Sequence, residues 1–374
     1  MNPVRKLLKL VAAVLLLAVL AVIALFPYLS IKEYKPADKE AVEITENGAA
    51  DIDAEDADVS GTLSVLTWNI GYAGLSETAD FFMDGGEGVR TQDKSSVQNN
   101  LDAVLSEVES AKPDILFLQE IDRNSARSFH IDETALMREE AGYLNSAFAN
   151  NLKVSFLPYP IPPIGKVDSG IMTLTNMPVS EAERIQLPIP FSWPVRIANL
   201  KRCLLVERIP LTGTKNDDGS EKELVLVNLH LEAYDDGSGK IEQTKMLADL
   251  MQEEYDKGNY VIAGGDFNQT FSGTDTSMYP LQSSDLWACG LLDESSFSGD
   301  FSFLMDNSAP TCRSLDRPFD SDDSSFQFYL IDGFIVSNNI EVETLRTLDK
   351  GFVNSDHNPV YMTFSLKDLS LSER

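Results

Sequence analysis

Cysteine is scarce in this chain: Cys203, Cys289 and Cys312 are the only three among 374 residues. Three thiols exclude a disulfide scaffold and a four-ligand zinc site, and leave room for one bridge at most. Histidine is equally rare, with His130, His230 and His357 alone. Basic residues are in deficit, 30 against 59 acidic ones, so the net charge is −29. A field this negative repels polyanions and disfavours non-specific binding to duplex nucleic acid. Repeats and low-complexity segments are absent from the globular part. What is present is ordinary: 43% apolar residues with 9% aromatics exclude wholesale disorder. The length suits one large α/β domain with appendages.

One long apolar run stands at the N-terminus. Arg5, Lys6 and Lys9 precede a charge-free stretch from Leu10 to Ile31. About 20 apolar residues span the hydrocarbon core of a bilayer. The run ends in Phe26-Pro27-Tyr28-Leu29, an interface-like exit without the small-x-small site of a cleaved leader. Residues 1–31 therefore read as a cytoplasmic basic stub and a transmembrane signal-anchor, a long cleaved signal being the alternative. The cationic flank stays inside, which places the remainder outside the cell membrane on a single pass. Residues 32–60 hold ten acidic and three basic residues and little that is bulky. That composition predicts a flexible acidic linker. Asp51–Asp58 lacks the glycine and spacing of a calcium loop.

The globular part, 61–374, carries 24 basic and 49 acidic residues. Thr62–Ile70 and Asp114–Gln119 are short apolar runs that read as buried strands, with a helix over Asp93–Lys112 between them, stopped by Pro113. Residues 153–167 are proline-rich and read as loop. Ser169–Thr175, Cys203–Leu211 and Glu223–Leu231 read as strands, the last two joined as a hairpin through Thr214–Glu221. A second helix spans Ser238–Asp256, and strands follow at Tyr260–Ala263, Tyr329–Ser337 and Asn358–Phe364. More than ten strands in one domain argue for two packed mixed sheets with helices on their outer faces.

Several of these strands end in a polar residue: Asn69, Gln119-Glu120, His230 and Asp266-x-Asn268. Each alone has an ordinary reading as a turn residue or a solvated charge. Asp332 differs, because a carboxylate inside the apolar LIDGFIV run loses several kcal/mol of hydration unless it is paired. His357 is its natural partner. Together, Glu120 and Asn69 offer hard oxygen ligands suited to Mg²⁺ or Mn²⁺. Two histidines and the Asp266/Asn268 pair add proton transfer and phosphate contacts. That inventory fits attack of water on a phosphate ester beside a metal.

TWNIGY (67–72), ILFLQEID (115–122), SGIMTLTNMPV (169–179), VNLHLE (227–232), GGDFN (264–268), LIDGFIV (330–336) and SDHNPV (355–360) follow one another along the chain. In this order they resemble the endonuclease/exonuclease/phosphatase superfamily across residues 62–366. The resemblance implies a four-layer α/β sandwich and a metal-dependent hydrolase acting on phosphate esters. It implies Glu120 as a metal ligand, with Asn69 in or next to the metal shell and Asp356 beside it. Asp266 and Asn268 match the pair that positions and deprotonates water and holds a phosphate oxygen. His357, oriented by Asp332, matches the histidine at the reacting phosphate. His230 matches a second histidine, which the apurinic-endonuclease branch lacks. Gly333 stands where the family often has an aromatic residue, which implies a wider pocket floor.

Between Lys153 and Arg208 lie seven basic and four acidic residues, a local positive island. It reads either as ordinary surface pairing or as a phosphate-facing rim. Beside it, the aromatic, proline-stiffened segments 156–163 and 191–194 either cap the domain or dip into a membrane interface. The expected function is a membrane-anchored phosphodiesterase or phosphatase, expected as a monomer, acting on a lipid headgroup or small phosphate ester. The alternatives are an extracellular nuclease, which the net charge disfavours, and a binding module without catalysis.

Overall fold

In the computed structural model, which describes residues 3–47, 59 and 61–367, the chain opens with helix α1 (Pro3–Ile31). This helix contains the charge-free run Leu10–Ile31 and is long and apolar enough to cross a membrane. Two short strands follow, β1 (Lys39–Ala41) and β2 (Ile44–Glu46), then β3 (Leu63–Asn69), α2 (Lys94–Ala111), β4 (Ile115–Asp122) and α3 (Glu133–Glu140). Next come β5 (Asn145–Leu157), β6 (Gly165–Thr175), β7 (Glu181–Gln186), β8 (Cys203–Pro210), β9 (Glu223–His230), α4 (Ser238–Asp256) and β10 (Tyr260–Asp266). The chain continues through β11 (Gln269–Phe271), β12 (Gly290–Leu292), β13 (Phe301–Leu304), β14 (Cys312–Arg313) and β15 (Phe328–Tyr329). It ends with β16 (Asp332–Ser337), β17 (Ile340–Thr347) and β18 (Val360–Leu366).

Two seven-stranded sheets pack face to face, in the orders β1-β7-β8-β9-β10-β16-β13 and β17-β18-β3-β4-β6-β5-β2. Each has one parallel pair at its centre, β9/β10 and β3/β4, joined by α4 and α2. The period-two alternation of these strands explains the layering. Val65 of β3 and Leu226 of β9 face the seam between the sheets, where Phe117, Ile262, Phe334 and Met362 also lie. Their neighbours Leu66 and Val227 turn outward, Leu66 under α2 with Val97 and Leu101, Val227 under α4 with Leu247 and Met251. The result is the four-layer sandwich. Asp93 caps α2 by accepting from the Ser96 amide at 2.9 Å, and Lys112 ends it in a left-handed conformation before Pro113.

Two expectations require correction. Residues 32–47 are not a free tether. β1 pairs with β7 and β2 with β5, so the segment closes one edge of each sheet. Glu33 pairs with Arg196 at 3.1 Å and with Lys201 at 3.6 Å. Composition misses this because edge pairing runs through backbone groups and needs little apolar burial. The stretch Asp51–Asp58 lies outside the described residues. The loop expected at 153–167 shrinks to the turn between β5 and β6, because all its prolines fall there. On either side Val154 pairs with Val167 and Leu157 with Gly165.

Candidate active site

Strand register brings the polar residues of the strand ends together. In one sheet, Asp266 of β10 lies opposite His230 of the parallel β9 and opposite Asp332 of the antiparallel β16, one row across three strands. In the other, Asn69 of β3 lies opposite Gln119 of β4, and Glu120 follows. The β4–β6 register shifts between Leu118 and Ile121, and Glu120 has φ +52°. This irregularity re-aims its carboxylate out of the pleat. Gly265 makes a different local demand. Its φ is +148°, and a Cβ there would lie 2.0 Å from the Leu229 carbonyl oxygen, so only glycine lets β10 approach β9 before Asp266.

His357 forms the hub. Its Nδ1 lies 2.8 Å from Asp332 Oδ2, its Nε2 3.8 Å from Asp266 Oδ2 and 4.0 Å from Asp356 Oδ2. His230 Nε2 is 3.4 Å from the same Asp266 oxygen. Asn69 Nδ2 donates to Asp266 Oδ2 at 3.0 Å and contacts Glu120 Oε1 at 3.5 Å, while its Oδ1 accepts from the Gly71 amide. The amide thus ties Glu120 to Asp266. Asn268 donates its backbone N–H to Asp266 Oδ1 and its Nδ2 to the Leu231 carbonyl, both at 2.9 Å. All eight candidate residues therefore fall in one locality. His130 stays outside it, exposed and bonded to Asn124.

Burial and neighbouring charge separate the two imidazoles. Burial pushes His230 well below its ordinary pKa, and the cations of Arg202 and His357 push it further, so it is neutral. Burial also opposes charge on His357, but the Asp332 carboxylate outweighs it and raises this ring well above the ordinary value. Burial, with Asp332 nearby, lifts Asp266 to about 6, and burial with Glu120 nearby lifts Asp356 to about 6 against the pull of His357 and Arg313. Two carboxylates with raised pKa and a partnerless Asp332 Oδ1 mark negative charge short of compensation. The donors Asn69, Glu120 and Asp356 are hard oxygens, a set that fits a divalent cation of the Mg²⁺ or Mn²⁺ kind. Cys312 also lies within 4.8 Å of ligand atoms of Asp356 and His357. Burial raises its thiol to about 12, so it remains protonated and is a poor ligand. The sequence held no signal for Cys312; Arg202, one of the basic island, donates to the His230 carbonyl at 3.1 Å and pairs with Glu232.

The site lies at the foot of a cavity of about 700 Å³. Gly333 does not widen its floor: a Cβ there would lie 2.4 Å from the Leu304 carbonyl oxygen, so it faces β13. Nor is the basic island a free rim. Arg184 is buried on the carbonyls of Asn150 and Lys201, and Arg208 is shared by Glu181, Glu223 and Glu254. Arg196 and Lys201 hold Glu33, Arg202 holds Glu232, and Lys153 lies 3.9 Å from Asp168.

The family model described as "Endonuclease/Exonuclease/phosphatase family" matches residues 66–357, from β3 through the SDH segment that carries His357. The chain belongs to this family. Its members hydrolyse phosphate esters. An endonuclease/exonuclease/phosphatase from Beutenbergia cavernae shares the fold at 18% identity and a TM-score of 0.54, over 84% of this chain and 74% of that one. A truncated TDP2 from Caenorhabditis elegans matches at 17% identity and a TM-score of 0.50, over 82% of this chain and 100% of that one. No curated protein matches the chain significantly in sequence.

Proposed function

We propose that this chain is a membrane-anchored, divalent-metal-dependent phosphoesterase with an extracytoplasmic catalytic domain, hydrolysing the phosphate ester of a lipid headgroup or small molecule. The observation that carries this reading is the Asp332–His357–Asp266–His230 chain beside the oxygen donors Glu120, Asn69 and Asp356. Glu120, Asp356 and Asn69 would hold the cation, which supplies charge neutralisation on the phosphate oxygens when bound. Asp266, ionised at neutral pH, accepts a proton from water as the water oxygen bonds to phosphorus. The phosphorus–oxygen bond to the leaving alcohol breaks, and His357, kept cationic by Asp332, gives that oxygen a proton. Neutral His230 donates to a phosphate oxygen. Asn268 holds Asp266 in place.

The nuclease alternative lacks its electrostatic footprint, since of the basic side chains lining the cavity Arg127 pairs with Asp122, Arg202 pairs with Glu232, and Arg313 is spent on the backbone carbonyls of Ser314, Ser76 and Ala79. Hydrolysis of bis-p-nitrophenyl phosphate by the full chain, stopped by EDTA and restored by Mg²⁺, tests the proposal. The His357→Ala protein is the control. Turnover indifferent to EDTA, or retained in His357→Ala, refutes it.

A further inference from the structure

The cavity is far larger than a phosphate needs, and it is unlike the catalytic foot in chemistry. At the foot stand Glu120, His230, Asp266, Asp356 and His357. The walls beyond them are mostly apolar, with Leu152, Leu157 and Ile164 of the β5–β6 hairpin and Val195, Ala198 and Leu200 of the segment before β8, while Arg127, Arg202 and Arg313 also reach the lining. About 700 Å³ lies well inside the range of pockets that enclose whole small ligands, roughly 300–1,000 Å³.

Two features say what fills it. The first is a roof, made by the turn Phe82–Asp84. Phe82 packs edge-on against Tyr159 at 5.9 Å, and Asp84 accepts from the Tyr234 hydroxyl at 3.0 Å, so the turn spans the cavity from hairpin to β9 loop. The second is the seat of α1. Trp193, in the wall segment, donates through Nε1 to Ser30 Oγ at 3.1 Å and meets the Phe26 ring at 6.3 Å. Trp193 and Val195 in this segment, and Tyr159 and Ile161 in the turn of the β5–β6 hairpin, are apolar side chains 57–90% exposed. Exposed aromatic and aliphatic groups beside the end of a membrane-length helix are of the kind that favours the bilayer interface. Tyr159 and Val195 belong both to that rim and to the cavity lining.

We propose that the cavity houses the hydrocarbon tail of the substrate, which is a long-chain phosphate ester drawn from the bilayer surface, with its phosphate on the catalytic residues. This rests on the phosphoesterase reading and narrows its substrate class. Tail burial supplies binding energy remote from the reacting bond, each methylene contributing in proportion to the apolar area it hides.

The test uses the full chain in lipid nanodiscs with alkyl p-nitrophenyl phosphates that differ only in the alkyl group. The octyl ester should exceed the methyl ester at least tenfold in kcat/KM. Leu157→Trp and Ala198→Trp, which fill the apolar half, should bring that ratio toward one, whereas partition into the disc is the same for every variant. Inhibition of the unaltered protein needs no variant to fold: octylphosphonate should act at least tenfold below methylphosphonate. Equal ratios and equal inhibition overturn the proposal, as does faster hydrolysis of thymidine 5′-(p-nitrophenyl phosphate). If no ester is turned over, the phosphoesterase reading fails instead. Calorimetric titration of octylphosphonate against methylphosphonate then still decides whether the cavity takes a tail.

Discussion

Gln119 of one sheet donates through Nε2 to Asn228 Oδ1 of the other, 2.8 Å across the seam beneath the active site. Asn228 in turn donates to the Met172 carbonyl at 2.9 Å, and both side chains are wholly buried. The pair locks the strand carrying Glu120 to the strand carrying His230. Asn228→Leu leaves buried polar groups short of partners and should cost about 1–3 kcal/mol of stability. It should also lower kcat by loosening His230, two residues on. An unchanged urea midpoint together with unchanged turnover contradicts this role.

Within the site the Asp332 side chain hydrogen-bonds only the ring of His357, so its chief action passes through that ring, beside the charge it sets near Asp266. His357→Ala and Asp332→Asn should each lower kcat, on the order of 10²–10³ for the loss of a donor. The double variant should lose little more than His357→Ala alone, because the two residues act as one unit. Steady-state kinetics of the three proteins decides the matter. Multiplicative losses would show that Asp332 acts independently.

Glu207 of β8 points into the seam between the sheets, 1% exposed, with Oε1 lacking a partner. Burial lifts its carboxyl from 4.5 to about 8, against the pull of a hydrogen bond with Thr173. The folded protein therefore keeps a proton that the unfolded chain releases above pH 4.5. Stability falls as pH rises from about 4.5 to about 8, by roughly 1.4 kcal/mol per unit for this group. Glu207→Gln removes that slope. Its Tm should exceed that of the native protein at pH 8, and the gap should close by pH 4.5. A constant gap across the range excludes the explanation.

Glu33 is 3% exposed at the side chain and faces Arg196 and the equally buried Lys201. Glu33→Gln leaves Lys201 as a buried cation without its carboxylate, at a cost of roughly 3–5 kcal/mol. The edge strands at 39–46 should then open more often. Limited proteolysis should cut residues 32–47 faster in the variant, and equal cleavage rates rule out the tie.

Much of this was readable from local pattern, because local pattern carries it. The charge-free run at 10–31, the alternation in Leu63–Asn69 and the capped periodicity of Asp93–Lys112 depend on nearest neighbours and on the solvent alone. Asp332 was legible for a similar reason, since a carboxylate in an apolar strand calls for a partner. The long hairpin β5–β6 and the edge strands at 39–46 were not, because ladder pairing is made by backbone atoms that every residue shares. Long-range geometry decided the remainder. Register set Asp332, Asp266 and His230 in one row, the irregularity at Glu120 turned its carboxylate, and burial kept His230 neutral while the Asp332 carboxylate kept His357 charged. Composition placed seven basic residues within one stretch of chain. Only folding revealed that acidic partners from elsewhere in the chain had already taken most of them, because a charge near a low-dielectric interior is stable only when paired.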